Sequence, residues 1–193
     1  VCSSDLLKSI VLPPNIFNIA LRFLANTKIT EISIPKSVSL CNIATFRNCV
    51  NLTNIVFADG GNVPLYIGGD MWLENTLVTT LVLPARIYKI QGYWKRGSNL
   101  TTSLKSIILP DTLEFINTNV FEYCTSLVTV KLPETLTQPK FSGGLFMGCS
   151  SLTSLIEISA ITTSIGIRAF YGCTSLSGVK MLGSIPPSIE YEA

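Results

Sequence analysis

The stretch "AFYGCTSL", residues 169–176, decides the fold because it is not alone. The same phrase returns as "TFRNCVNL" (45–52), "VFEYCTSL" (120–127) and "LFMGCSSL" (145–152). One aromatic three residues before a cysteine, with a leucine three after it, would suggest a reactive thiol in an apolar pocket. Four copies indicate a unit of architecture. Going from Leu176 towards the N-terminus, apolar anchors stand at Leu152, Leu127, Leu104, Val78, Leu52, Ile29 and Leu7, at intervals of 22 to 26 residues. Self-similarity with such a period is the mark of stacked repeats.

Each anchor is followed three residues on by a second apolar residue: Val179, Leu155, Val130, Ile107, Leu81, Ile55, Ile32 and Ile10. Five residues on there is usually a third, and then proline, as in "VLP" (11–13), "SIP" (33–35), "VLP" (82–84), "ILP" (108–110) and "KLP" (131–133). Alternating apolar residues share one face of a short strand, and proline ends it because it cannot donate to a ladder. A single unit cannot bury its apolar edge. Stacked units, with strands about 4.8 Å apart, make one continuous core. An aromatic slot on the far side of each coil holds Phe23, Phe46, Trp72, Trp94, Phe121, Phe146 and Phe170.

Cysteine in this frame is a small buried hydrophobe at a tight turn. Cys41 takes the slot of Ile116 and Ile165, five residues before the aromatic, and also reads as core. Cys124, Cys149 and Cys173 fall in successive coils. Parallel side chains there stand about 4.8 Å apart at Cβ, wider than the ~3.8 Å usual for a disulfide, so reduced thiols are expected.

Composition narrows the function classes. The chain of 193 residues is 47% hydrophobic and only 13% charged, against roughly 25% charged in an average globular chain. The net charge is +2 and no basic run occurs, which argues against nucleic acid. No apolar run approaches the ~18 residues that a transmembrane helix needs. There is no histidine, which removes Ser-His-Asp and Cys-His catalysis and His-ligated metals. The six cysteines include no Cys-x-x-Cys pair. The expectation is no enzyme, no cofactor and no metal.

The unit Leu-x-x-Ile-x-Leu-Pro followed by Ile-Gly-x-x-Ala-Phe-x-x-Cys resembles the BspA-like leucine-rich repeat family. The segments "SIGIRAFYGCTSLSGVKM" (164–181) and "LKSIILPDTLEFINTNVFEYCTSLVTVKLPETL" (104–136) carry the resemblance most fully, and it extends over essentially the whole chain. It implies a leucine-rich repeat solenoid of about eight stacked repeats, with a parallel β-sheet on one face and turns and short helical pieces on the other. It also implies a cell-surface or secreted protein engaged in adhesion or host interaction, with a protein partner such as a host matrix protein or another cell-surface protein. It offers no catalytic residues. The whole chain, residues 1–193, is expected to be one solenoid domain cut within a repeat at each end, since Val1 stands in an aromatic slot and "SIPPSIEYEA" (184–193) stops before one.

Departures from the repeat mark candidate sites. The segment 57–72 lacks the proline and is three residues longer than 109–121. Between Trp94 and Leu104 lie four extra residues, and the 152–170 repeat also lacks its proline. The bulge offers Tyr93, Lys95 and Arg96 as contact residues. Drift in a tolerant surface loop explains such bulges equally well. The residues two and four after each anchor should point outward. The first column is polar (Ser9, Glu31, Asn54, Thr80, Ser106, Thr129, Ser154, Gly178). The second is Val11, Ser33, Val56, Val82, Ile108, Lys131, Ile156 and Lys180. From it Val56, Val82, Ile108, Lys131, Ile156 and Lys180 are the candidate protein-binding residues. The plain alternative is that β-branched residues suit strands. Asp59 and Asp70 flank glycine turns, where turn chemistry is the default reading and a calcium loop the alternative. Two functional readings fit the sequence: a protein-binding module, or an architectural spacer that projects another domain.

Overall fold

The computed structural model describes residues 6–68, 72–92, 103–138 and 140–191. Among these the chain winds through fifteen short strands: β1 (Asn18–Ile19), β2 (Glu31–Ile34), β3 (Leu40–Cys41), β4 (Asn54–Phe57), β5 (Leu65–Ile67), β6 (Thr80–Val82), β7 (Ile87–Ile90) and β8 (Ser106–Ile108). There follow β9 (Phe115–Ile116), β10 (Thr129–Lys131), β11 (Lys140–Phe141), β12 (Ile156–Ile158), β13 (Ser164–Ile165), β14 (Val179–Met181) and β15 (Ser188–Ile189). The even strands are the motif strands expected from the sequence and form a front ladder. The odd strands form a back ladder, and every pairing is parallel.

The back ladder is a finding. Where the resemblance implies short helical pieces, the described residues instead carry paired strands and turns. Its inward column runs Ile19, Cys41, Ile67, Ile90 and Ile116 through one sheet, then Phe141 and Ile165 through another, where Ile189 is in register but exposed. This bears out the core slot assigned to Cys41, which is fully buried.

A third face closes each coil as an arc of turns. Two residues per arc have left-handed φ, two before and two after the aromatic: Ala44 and Asn48 around Phe46, Asn119 and Tyr123 around Phe121, Gly144 and Gly148 around Phe146. The amides of these three positions donate to the next coil, as from Asn119 to Gly143, Phe121 to Leu145 and Tyr123 to Met147. Alternate amides bond within the turn, as from Glu122 to Asn119 and Cys124 to Phe121. Asn26, Asn48 and Asn75 suit the strained position because their side chains also stack, with amide contacts of 2.9 and 2.8 Å.

The same geometry corrects the first aromatic slot. Left-handed Arg22 and Asn26 flank Leu24, which is fully buried, whereas Phe23 is half exposed. The cysteine slot is more polar than expected. The Cys49 thiol donates to the Leu24 carbonyl at 2.9 Å, Cys149 to Phe121 at 3.0 Å and Cys173 to Phe146 at 3.0 Å, while Thr27 fills the slot in the first coil. Cysteine is therefore both a hydrophobe and a weak donor that ties coil to coil. Cys41, Cys49, Cys124, Cys149 and Cys173 are free thiols. Burial raises the Cys49 thiol pKa and pushes that of Cys41 up to about 12, against the pull of Arg86.

Irregular coils are patched by side chains. The loop 58–64 turns at Gly61, whose φ is +90° and where a Cβ would lie 2.9 Å from the Lys36 carbonyl oxygen, so only glycine fits. In the flanking coils a hydroxyl four residues before the inward residue of the back strand holds the preceding coil: Ser37 donates to Pro14 and Ile16, Thr112 to Ala85 and Ile87. The long loop supplies none. Arg86, in the same slot and buried, reaches back across it to the carbonyls of Val38, Val63 and Pro35. No shorter side chain spans two coils.

Candidate functional site

The front ladder's outer surface is a regular platform that the repeat leaves to solvent. Backbone pairing sets Val82, Ile108 and Lys131 side by side, with Ser33 beside Val56 on one flank and Glu157 beside Lys180 on the other. Val56, Val82 and Ile108 are 48%, 54% and 54% exposed. Lys131 and Lys180 are exposed too. Beside them runs the hydroxyl column, in which Thr129 and Ser106 are 3.2 Å apart. The expected outward pair of columns is thus present from Ser9 to Lys131.

At Ile156 it is not. That residue is 1% exposed and belongs to the core, so it is no contact residue. The strand enters one position late. Leu155, expected inside, is 51% exposed, while Ile156 and Ile158 point in and Glu157 takes the outward position. The reason is legible in "LTSLIEIS" (152–159). The usual frame would put Glu157 in the core, where an unpaired charge is prohibitive. The slipped frame buries two isoleucines instead. The side chain of Glu157 accepts from Lys180 Nζ at 2.8 Å. That hydrogen bond, then the Lys180 charge, holds the Glu157 carboxyl below its ordinary range, and Lys131 adds a weaker pull.

The front ladder is consequently discontinuous. It consists of β2–β4, β6–β8–β10 and β12–β14. One break follows the 58–64 loop. The other lies at the slip, where a groove of about 440 Å³ opens between β10 and β12, lined by Ile108, Lys131, Ser154 and Leu155 among others. The back face carries a feature that the repeat motif did not flag: Tyr66 and Tyr88 are 46% and 38% exposed along β5 and β7. The signal was available in the alternation of "LYI" (65–67).

Tyr93, Lys95 and Arg96 lie outside the described residues, as does Asp70. Asp59 is exposed on its loop. Among the described residues no group of three or more metal-binding side chains forms, and no helix is long and apolar enough to cross a membrane.

The geometry above defines a leucine-rich repeat solenoid, and comparison with known proteins names the family. The model described as "BspA type leucine rich repeat region (6 copies)" matches residues 2–101 and 98–192, so the chain belongs to that family. No curated protein matches. The fold is similar to the T. pallidum leucine-rich repeat protein (TM-score 0.70, 24% identity, 90% of this chain and 79% of that one). It is also similar to a leucine-rich cell surface protein from Faecalibacterium prausnitzii (TM-score 0.52, 20% identity, 93% of this chain and 55% of that one). A third likeness is to the pneumococcal vaccine antigen PcpA (TM-score 0.50, 17% identity), of which the chain spans 42%. These likenesses establish the fold.

Proposed function

We propose that this chain is a non-enzymatic protein-binding module of a cell-surface or secreted protein, of the adhesion or host-interaction type, with residues 1–193 acting as one solenoid unit. The observation that carries the reading is the Val56–Val82–Ile108 column: three half-exposed aliphatic side chains on paired, rigid strands. A regular platform lowers the ordering cost of binding, and well-packed central contacts contribute most of the affinity. Lys131 and Lys180 extend the surface, and Tyr93, Lys95 and Arg96 are additional contact candidates. The partner is a protein, such as a host matrix protein or another surface protein. Binding to a panel of immobilised matrix proteins tests this. Val82→Glu and Ile108→Glu should abolish saturable binding while circular dichroism and the melting temperature stay unchanged. Variants that fold and bind every partner as before would favour the spacer reading.

A further inference from the structure

Among the features of the front face, the groove at the register slip is the most individual, because it is made by one added residue. The amide of Thr153 still donates to Val128 at 3.1 Å, as the ladder requires. At the next residue the ladder stops. Ser154 Oγ takes the place of a strand neighbour, 3.4 Å from both the amide and the carbonyl of Val130. Leu155 is then pushed outward, and β12 resumes without pairing to β10. The groove has aliphatic lips on both sides, Ile108 at 54% and Leu155 at 51% exposure.

Its charge is unbalanced. Lys105, Lys131 and Lys180 are exposed around it, and Glu157 is the one acid lining it. Glu157 is already held by Lys180. Lys131 forms no ion pair with a described residue and only draws on Glu157 from a distance. Asp111 and Glu134 lie beyond the prolines that end β8 and β10. The surface is thus apolar with uncompensated positive charge. It is too open to enclose a small ligand, which needs most of its surface buried. Three dispersed lysines are too few for a nucleic-acid footprint. No aromatic side chain lines it as a stacking platform for a sugar ring.

We propose that this groove receives an extended acidic segment of a partner protein, with an apolar side chain seated between Ile108 and Leu155 and a neighbouring carboxylate on Lys131. The proposal rests on the front face being the binding surface and names the chemistry of the segment bound there. Attraction between opposite charges gives it register and a fast encounter. The shallow groove lets an extended backbone lie across β8 and β10 towards Leu155, with alternate side chains anchored on it.

The test uses the full chain and three fluorescein-labelled, proline-flanked peptides: Leu-Asp-Leu-Asp, Leu-Asn-Leu-Asn and Leu-Lys-Leu-Lys. Fluorescence anisotropy should show the aspartate peptide binding most tightly and weakening as salt rises. Lys131→Glu and Leu155→Asp should each weaken it by about tenfold or more, because a favourable contact becomes a repulsive or solvated one. Tyr66→Ser, on the back face, should leave it unchanged. Deletion of Ser154 should let β12 pair with β10 and abolish binding. Circular dichroism of each variant separates loss of binding from loss of fold, and Lys131→Glu, at an exposed site, decides if the deletion fails to fold. Equal affinity for the three peptides, or loss with Tyr66→Ser but not Lys131→Glu, overturns the proposal. So does a dimer in sedimentation velocity that Lys131→Glu dissociates, since the occupant is then a second copy. If the peptide fails while Val82→Glu still abolishes protein binding, this inference falls alone. If the peptide binds while neither Val82→Glu nor Ile108→Glu affects any protein, the broader reading falls.

Discussion

The coil that begins at Leu127 breaks both ladders, and the two breaks are unlike. On the back face two additional residues separate Leu136 from Phe141, compared with Leu113 and Ile116 in the coil before. Strands β9 and β11 do not pair. Gln138 fills the gap. Its Oε1 accepts from the Ile116 amide at 2.8 Å, its amide donates to Ser142 Oγ at 3.0 Å, and that hydroxyl donates to the Ile116 carbonyl at 2.5 Å. A side-chain amide thus stands in for a peptide group, and the gap is sealed. On the front face a single added residue leaves Val130 bridged by the long contacts of Ser154, and a groove lies over the break. The difference teaches that length irregularity alone does not make a site. A groove results where the bridging side chain is short and its contacts are long.

Across both breaks the arc is continuous, and the aromatic stack runs through it. Phe146 lies 5.5 Å from Phe121 and 6.0 Å from Phe170, with nearly parallel rings. Both breaks therefore depend on the same ring. Phe146→Ala should have the largest effect, a loss of about 3–5 kcal/mol by chemical denaturation, as for other buried aromatics. A loss under ~1 kcal/mol would mean that the ladders, not the arc, join these coils.

Gln138→Ala addresses the sealed side. It strands the Ile116 amide and should cost about 1–3 kcal/mol, the usual penalty for an unsatisfied buried group. Hydrogen exchange at Ile116 should accelerate as well. If neither changes, water completes that ladder as well as glutamine does.

An effect confined to alkaline solution comes next. Burial raises the Cys41, Cys49 and Cys173 thiols above the ordinary value of 9.0, with Cys41 at about 12. The folded state keeps these protons longer than the unfolded state does. Stability from this source is complete below pH 9 and falls as pH rises towards 12. Denaturation midpoints measured across that window should decline, and Cys41→Val should flatten the decline. In native alkylation, of the five described thiols partly buried Cys173 should react first and Cys41 last.

The smallest effect belongs to the open side. Leu155→Ala removes an exposed side chain and should change stability by less than about 0.5 kcal/mol. A larger loss would mean that Leu155 packs into the ladder, and the contrast between the two breaks would disappear.

Much of this molecule is legible in residue spacing. The anchors from Ile29 to Leu152 are all buried, and the Val82–Ile108–Lys131 neighbours follow from counting four past each anchor. The period determines these because every coil must present the same apolar edge to the next, and burial of that edge is the dominant favourable force. The sequence also determines the slip at Ile156, once the cost of burying Glu157 is weighed against two frames. Other features have no local signal. Phe23 and Leu24 compete for one slot, and only the left-handed turns at Arg22 and Asn26 select the leucine. The back ladder depends on pairs of two to four residues, too short for periodicity to distinguish strand from turn. No local pattern marks Arg86 or Gln138, whose roles follow from carbonyls and an amide that the neighbouring coils leave without a backbone partner. Hydrogen-bond satisfaction is a property of the stack, and it is resolved only when the coils meet in three dimensions.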